Sequence, residues 1–359
     1  MKKKILIFLI SPLLFCQVTM AQQKDKWVEL KTKNKIDGRS ECGLAAVNGQ
    51  LYLIGGDGPA AAVEVYDPAT LNWSERSKAP IPMHHIEAVS LNDKIYVLDA
   101  FYKGEFPNQD PAPNAYSYDT KTDQWKELAG LPVERRRAGA GAAAYHGKLY
   151  LVAGIKHGHS SGTNSLFDVY DPETNTWTAL PDAPHIRDHS QAVVVGDKLY
   201  AIGGRNTSYH EPDNFMSFFS KTVLEVDCYE FKTGKWSVLL AKLPMGTGGG
   251  TAVNLDGNIY YIGGERATAT TPNGSKKDVY ELNASMPVKW NKVADVNIAR
   301  NGVGSAVLNH HIYIAGGAAG GPPPSNNGGK HQGPPQGPPP GPRPGGNPQG
   351  IALEVFSAL

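Results

Sequence analysis

The feature that most constrains the fold is an internal repeat of about 50 residues. Each copy begins with a short apolar run that contains a tyrosine, preceded by a small polar turn and mostly followed by a glycine pair. The six tyrosines are Tyr52, Tyr96, Tyr150, Tyr200, Tyr260 and Tyr313. A repeat of this length is typical of four-stranded units arranged in a ring. Six copies therefore predict an all-β fold, a six-bladed β-propeller.

The second half of each copy indicates how the ring closes. Five copies contain a second tyrosine followed by a tryptophan seven or ten residues later. The sixth copy has Phe356 in place of this tyrosine and no tryptophan after it, whereas Trp27 has no tyrosine before it. We therefore predict that residues 26–30 form the outer strand of the last blade beside residues 351–356, so that the N-terminal strand closes the ring.

These features resemble the Kelch repeat. The resemblance rests on the glycine pairs in IGGDG, IGGRN, IGGER and AGGAA, on V-Y-D-P in the third strand and on the tryptophan that follows. It covers nearly all of the chain after Ala21 and implies one Kelch propeller over residues 22–359. It implies little about function, because one fold hosts many unrelated sites.

The first 21 residues have the pattern of a secretory signal. Three lysines precede an apolar run at residues 5–15, which is too short to span a bilayer, and small residues follow it. Cys16 allows a lipid-anchor interpretation, which the bulky Phe15 before it disfavours. We expect a periplasmic or secreted monomer without a membrane span, whose two remaining cysteines, Cys42 and Cys228, lie too far apart to form a disulfide.

The charge balance argues against nucleic acid as a partner. The signal segment carries three lysines and no acidic residue, so its removal leaves 32 Lys and Arg against 34 Asp and Glu. A nucleic-acid-binding protein would need a basic stripe, which this composition does not favour.

The loop lengths predict which rim of the propeller carries function. The first turn of each copy is a short pair such as Asn48-Gly49, which favours a two-residue hairpin. Strand alternation then directs the longer loops to the opposite rim, where function is usually found. The longest loop contains residues 320–350, a Pro/Gly-rich stretch that we expect to be disordered. It is either a tolerated insertion or a polyproline ligand for another protein.

Four copies carry an arginine thirteen residues before the first tyrosine, near the predicted channel mouth. A ring of guanidinium groups can hold a carboxylate through bidentate hydrogen bonds. We therefore predict that an anionic sugar or glycan, or a protein ligand, binds at the long-loop rim. The alternative is that these arginines pair with neighbouring loops. The predicted ligand-binding residues are Arg39, Arg137, Arg187, Arg300, His84, His189 and Asn301.

Metal and cofactor signals in the sequence are weak. His157 and His159 flank Gly158 and could place two imidazoles together, but the sequence assigns no third ligand to them. We therefore predict neither a metal site nor a cofactor.

The C-terminal half shows a narrower resemblance. FMSFFSKTVLEVDCYE, MGTGGGTAV and IGGER are similar to the matching blades of periplasmic Kelch mutarotases that interconvert sialic acid anomers. The resemblance implies an N-acetylneuraminate mutarotase, an isomerase, with Glu265 as its catalytic residue and an arginine a few residues on. Thr271 stands about where that arginine is expected, and Arg266 is too close. Alternatively, Glu265 pairs with Arg266 or a loop neighbour, and the protein is a ligand-binding propeller.

Overall fold

The computed structural model describes residues 26–268, 270–271, 273–319 and 353–357. The predicted signal segment and the Pro/Gly-rich stretch at 320–350 lie outside these residues. In the described part of the chain, six four-stranded antiparallel sheets are arranged as blades around a channel, as the repeat predicts. No helix in the described ranges is long and apolar enough to cross a bilayer.

Each blade is a meander that runs from the channel to the outside. The first strands of successive blades contact one another around the ring, including blade six with blade one. In blades one to three the strands are Cys42–Val47, Gln50–Gly55, Ala62–Asp67 and Asn72–Lys78; Val89–Leu91, Lys94–Val97, Ala115–Asp119 and Gln124–Leu128; and Gly141–Tyr145, Lys148–Gly154, Asn164–Asp171 and Thr176–Leu180. In blades four to six they are Gln191–Val195, Lys198–Ile202, Asp227–Glu230 and Lys235–Val238; Thr251–Leu255, Asn258–Ile262, Val279–Asn283 and Trp290–Lys292; and Asn301–Leu308, His311–Ala318, Glu354–Phe356 and Trp27–Glu29.

The predicted ring closure is confirmed. The strand Trp27–Glu29 pairs antiparallel with Glu354–Phe356, and Trp27 lies opposite Phe356. Their rings stack with centroids 5.3 Å apart. The last blade is therefore built from both ends of the propeller sequence, and Trp27–Glu29 covers the strand Glu354–Phe356, which would otherwise form the edge of the sheet.

Tryptophans join four of the blades to the blade before them. In blades one to four the third-strand tyrosine lies opposite the fourth-strand tryptophan, as in Tyr170 and Trp177. In four blades the indole N–H also donates to a backbone carbonyl that follows the preceding blade, for example from Trp177 to Ala129 at 2.8 Å. The repeated tryptophan thus fills its own blade and ties that blade to its neighbour.

The turns explain why one rim is short. The first residue of this turn has positive φ in every blade, and in four blades the second does too, as in Asn48 at 50° and Gly49 at 79°, which is typical of a two-residue hairpin. At the other rim the loops form two short hairpins and two 3-10 helices. These elements are Phe101–Lys103 with Asp110–Pro111, Glu265–Arg266 with Gly274–Ser275, Val133–Arg135 and Phe215–Ser220.

Both described cysteines are free and buried. Cys42 lies on the innermost strand of blade one and Cys228 on the third strand of blade four. The described part of the propeller is therefore held by blade packing and ring closure, not by a disulfide.

Candidate functional site

The four repeat arginines lie inside their blades. None is more than 9% exposed, and each guanidinium pairs with a carboxylate on the third strand of its own blade. Each also donates to the backbone carbonyl at the first position of the glycine pair, sixteen residues on. The ion pairs are Arg39–Glu64, Arg137–Asp168, Arg187–Asp227 and Arg300–Glu354.

This pairing favours the structural alternative for the arginines. Thr247 occupies the equivalent position in blade five, and its hydroxyl donates to the carbonyl of Gly263 at 2.8 Å, again sixteen residues on. A hydroxyl can therefore replace the guanidinium in bonding the glycine carbonyl. The assignment of the four arginines to ligand binding stays an untested prediction, and their burial gives a ligand little access to them.

A closed ring of backbone hydrogen bonds surrounds the channel mouth, two residues after each arginine position. The N–H of each ring residue donates to the carbonyl of the equivalent residue in the preceding blade, over 2.7–3.1 Å. All six have positive φ, between 50° and 62°. The ring residues are Glu41, His85, Gly139, His189, Gly249 and Gly302.

Three of the six ring positions are occupied by residues other than glycine, although glycine would adopt this backbone conformation without strain. A left-handed conformation costs an ordinary residue about 1–2 kcal/mol, and glycine adopts it freely. Glu41, His85 and His189 therefore hold strained backbone whose side chains lie at the channel mouth. Residual strain of this kind clusters at functional sites, which makes these three side chains candidates for function.

The two ring histidines meet a third from a loop. His159, from the loop after the second strand of blade three, has its ring centroid 5.2 Å from that of His85 and 5.0 Å from that of His189. The centroids of His85 and His189 are 4.8 Å apart. His157 is exposed and takes no part in this cluster. Burial lowers the pKa of all three clustered imidazoles, that of His85 and His159 well below the usual value.

The predicted residues His84 and Asn301 lie at the same mouth. His84 approaches His85 through a Nδ1–Nδ1 contact of 2.6 Å, and its Nδ1 is 3.4 Å from the carboxylate of Asp57. The side-chain oxygen of Asn301 accepts a hydrogen bond from the hydroxyl of Ser275 at 2.8 Å. His84, His189 and Asn301 are thus brought to one rim, whereas the four arginines lie within the blades.

Glu265 pairs with a residue that the sequence reasoning did not single out. Its Oε1 accepts from Nη1 of Arg205 at 2.7 Å, and its Oε2 accepts from the amide of Asn273 at 2.9 Å. Arg205 directly follows the blade-four glycine pair, just as Glu265 follows that of blade five. The Arg205 guanidinium also lies over the rings of Phe218 and Phe219, 5.2 and 4.7 Å from their centroids. Pairing with a loop neighbour, rather than with Arg266, is what the structure shows.

The channel beneath the ring is narrow. A cavity of about 30 Å³ is lined by the ring residues together with Glu87 and Gln191. The Gln191 amide donates to the carboxylate of Glu87, while burial raises the pKa of Glu87 to about 8. This space holds a few waters and is far too small for a sugar.

A larger groove lies on the long-loop rim between blades two and three. Its volume is about 470 Å³, within the range typical of small-molecule sites. Arg136 and Lys156 line it and have no ion-pair partner among the described residues, while Lys103 pairs with Asp110 at 3.6 Å. The remaining lining residues are Tyr102, Pro111, Pro113, Val133, Glu134 and His157.

Part of this geometry was readable from the sequence. Glu41, His85 and His189 share one repeat position, two residues after the arginine position, so alignment of the copies could have grouped them. The third histidine and the groove come from loops of unequal length, whose paths the repeat does not determine.

Comparison with known proteins supports the repeat assignment. A model of the KLHDC2/KLHL20/DRC7 Kelch-repeats domain matches residues 65–264, and a Kelch motif model matches residues 38–79. Kelch-like protein terF of Aspergillus terreus is 27% identical over 307 residues, which cover 81% of this chain and 64% of that protein. Kelch-like protein 35 of Mus musculus is 34% identical over 164 residues, covering 45% of this chain and 26% of that protein. The chain thus spans less than two thirds of the length of these relatives.

A solved structure gives the same result for the fold. The structure of YjhT matches with a TM-score of 0.67 and covers 81% of this chain and 93% of that chain. The two sequences are 18% identical, so this likeness concerns the fold alone.

Proposed function

Because this chain belongs to the Kelch-repeat family, whose propellers commonly bind other molecules, we propose that it is a secreted or periplasmic binding protein for an anionic sugar. The ligand occupies the groove between blades two and three. The observation that carries this proposal is that Arg136 and Lys156 line a groove of sugar size without an acidic partner in the described ranges.

The groove supplies both kinds of contact that a sugar acid needs. Arg136 uses its Nε to donate to the carbonyl of Leu131 at 3.2 Å, which fixes the guanidinium and leaves its terminal nitrogens for a carboxylate. Tyr102 and Val133, the latter 73% exposed, offer apolar surface for the C–H faces of a sugar ring. Glu134 also lines the groove and forms no ion pair with another described residue, so it disfavours a ligand of high negative charge.

A binding screen tests the proposal directly. N-acetylneuraminate, glucuronate and galacturonate are titrated by calorimetry and saturation-transfer NMR, with galactose as the neutral control. The double variant Arg136→Gln, Lys156→Gln should weaken binding of the acidic sugar at least about tenfold, since hydrogen bonds to charged groups contribute about 1.5–3 kcal/mol when buried and less when partly exposed. Lys121→Gln, on the opposite rim, is the matched control and should bind normally.

Two results would contradict this proposal. Either no acidic sugar binds the wild type, or the double variant binds it as tightly as the wild type does. Retention of a protein from an extracytoplasmic extract by the wild type but not by the double variant would indicate that the groove serves a protein ligand instead.

A second candidate function is sugar-acid mutarotation at Glu265. Opening a cyclic hemiketal requires a base at the anomeric hydroxyl and an acid at the ring oxygen. The carboxylate of Glu265, with its side chain 15% exposed, and the guanidinium of Arg205 lie 2.7 Å apart at the rim. This pair offers a base and a cationic group side by side, although Arg205 and Asn273 already occupy both oxygens of the carboxylate.

Anomer exchange of N-acetylneuraminate, followed by NMR, tests this second candidate. Acceleration by the wild type that is lost in Glu265→Gln and kept in Glu225→Gln would support it. Glu225 is a suitable control because it forms an ion pair with Lys242 away from the channel mouth. Exchange at the uncatalysed rate with wild-type protein would eliminate the mutarotase.

A further inference from the structure

Three imidazoles from three different blades converge at the channel mouth. One ring nitrogen from each of His85, His159 and His189 lies within 4.8 Å of the corresponding atoms of the other two. His85 and His189 belong to the hydrogen-bonded backbone ring, and His159 is a buried residue of the blade-three loop. Three histidines held this close by separate elements form a potential coordination site rather than a surface cluster.

In each of these histidines the Nδ1 atom is engaged, which leaves Nε2 as the nitrogen available to a ligand. The Nδ1 of His189 contacts the carboxylate of Asp188 at 2.6 Å, and that of His159 contacts the Gln109 side-chain oxygen at 3.2 Å. The Nδ1 of His85 is engaged by His84. The Nε2 of His189 is buried, in a residue 6% exposed, and makes no hydrogen bond in the described part of the chain.

A buried imidazole nitrogen without a partner is costly unless something binds it. Metal-ligating histidines typically direct their other nitrogen to a carboxylate or carbonyl oxygen, which fixes the tautomer and ring orientation. Asp188 stands in that position behind His189, and the Gln109 oxygen stands in it behind His159.

We propose that His85, His159 and His189 bind one first-row divalent transition-metal ion through their Nε2 atoms, with Zn²⁺ as the physiological occupant. Imidazole ligands favour zinc, copper and nickel over magnesium and calcium, which prefer oxygen. At Zn–N distances of about 2.0–2.1 Å, tetrahedral coordination places ligand nitrogens about 3.3 Å apart. The observed separations between the nitrogens are at most 4.8 Å. To reach about 3.3 Å, each nitrogen needs to move inward by less than about 1 Å, which small side-chain rotations achieve.

The charge around the cluster suits a divalent cation. Carboxylates surround it: Asp188 behind His189, Glu41 with its Oε2 3.7 Å from the Nε2 of His85, and Asp57 beside His84. Arg205 is the cationic group that faces the cluster, and its guanidinium is paired with Glu265. The acidic side chains therefore outnumber the one arginine, and of them Asp188 is the one whose pKa is lowered, whereas burial raises the pKa of Glu41 and Asp57.

The channel leaves room for a fourth ligand. His85 and His189 both line the cavity of about 30 Å³ beneath the ring, which is enough for a few water molecules. Three protein ligands with a solvent-filled fourth position are the arrangement of open, catalytic zinc sites rather than closed structural ones. The carboxyl group of Glu41, whose Oε2 lies 3.7 Å from Nε2 of His85, is the nearest acidic group to this position on the channel side.

Metal binding is measured on tag-free, full-length protein stripped with a chelator. Zn²⁺ affinity is obtained by competition with a chromophoric chelator, and Co²⁺ substitution is followed by its visible absorption. Two of the ligand variants are His85→Gly and His189→Gly, which place glycine where three other blades already have it and so relieve backbone strain. His159→Gln is the third, and the exposed His157→Gln is the matched control.

We expect one Zn²⁺ per chain and, with Co²⁺, the intense visible bands of four-coordinate geometry. Each ligand variant should weaken binding at least about a hundredfold, since even changes behind the ligands cost about 10- to 100-fold, and His157→Gln should bind as the wild type does. Saturating Zn²⁺ should raise the melting temperature of the wild type and not that of His189→Gly. Binding below one equivalent in the wild type, or an affinity unchanged in folded His85→Gly and His189→Gly, would overturn the proposal.

Discussion

Removing the guanidinium of Arg187 is expected to destabilise the propeller strongly. Arg187 and Asp227 are completely buried, with Nη2 and Oδ2 2.8 Å apart, and the arginine also donates to the carbonyls of Gly203 and Glu225. Breaking one partner of a buried ion pair costs about 3–5 kcal/mol, because the remaining charge stays buried without compensation. With a urea m-value of about 3 kcal/mol/M, Arg187→Met should lower the unfolding midpoint by about 1 M or more.

A double-mutant cycle separates the pair from other effects of the substitution. Asp227→Leu should cost a similar amount, and the double variant should be at least about 2 kcal/mol more stable than the sum of the two losses predicts. Arg136→Met, which removes a half-buried arginine without an ion pair in the described residues, should change the midpoint little. A midpoint of Arg187→Met within about 0.3 M of the wild type would refute the structural role given to this arginine.

Three further predictions concern the closure of the ring, the Pro/Gly-rich loop and a buried carboxyl group. Deleting residues 351–359 should lower the melting temperature sharply, since the strand Trp27–Glu29 loses its partner; an unchanged melt would contradict the closure. Replacing residues 320–350 with a short Gly/Ser linker should leave stability nearly unchanged, because loop closure depends weakly on length; a large loss would show that the segment packs on the body. Burial raises the pKa of Asp99 to about 7, so the folded protein holds a proton that the unfolded chain releases above about pH 4. The contribution of Asp99 to stability should therefore fall between pH 4 and pH 7, by up to about 4 kcal/mol, and Asp99→Asn should lack this fall relative to the wild type in urea unfolding at pH 5 and pH 8; parallel pH profiles would disprove it.

The fold could be predicted from the sequence because its determinants are local and recur. Short turn pairs and apolar strands recur in six copies and the tyrosine–tryptophan pair in five, and the lone Trp27 indicated the closure. Each element needs only its neighbours in the chain, so a single sequence carries the information.

The direction of the arginine side chains was harder to infer. An arginine beside a channel can face the opening or the blade, and the repeat position alone does not distinguish these. An acidic residue two positions before the third-strand aromatic, such as Asp227 before Tyr229, accompanies all four arginines and would have favoured the blade, although blade five has Asp278 at this position without an arginine. The contact between His159 and the ring histidines depends on the path of a long loop, which the repeat pattern does not determine.

The hydrogen-bonded ring at the channel mouth is homodromic: every donor points the same way around the circle, and the last acceptor meets the first donor. In such a cycle each hydrogen bond polarises the next. The ring cannot widen without breaking a backbone hydrogen bond between two neighbouring blades. The channel mouth is therefore a rigid constriction formed by main chain. The side chains of Glu41, His85 and His189 narrow it further. A ligand larger than the cavity of about 30 Å³ beneath the ring is therefore restricted to one face of the propeller.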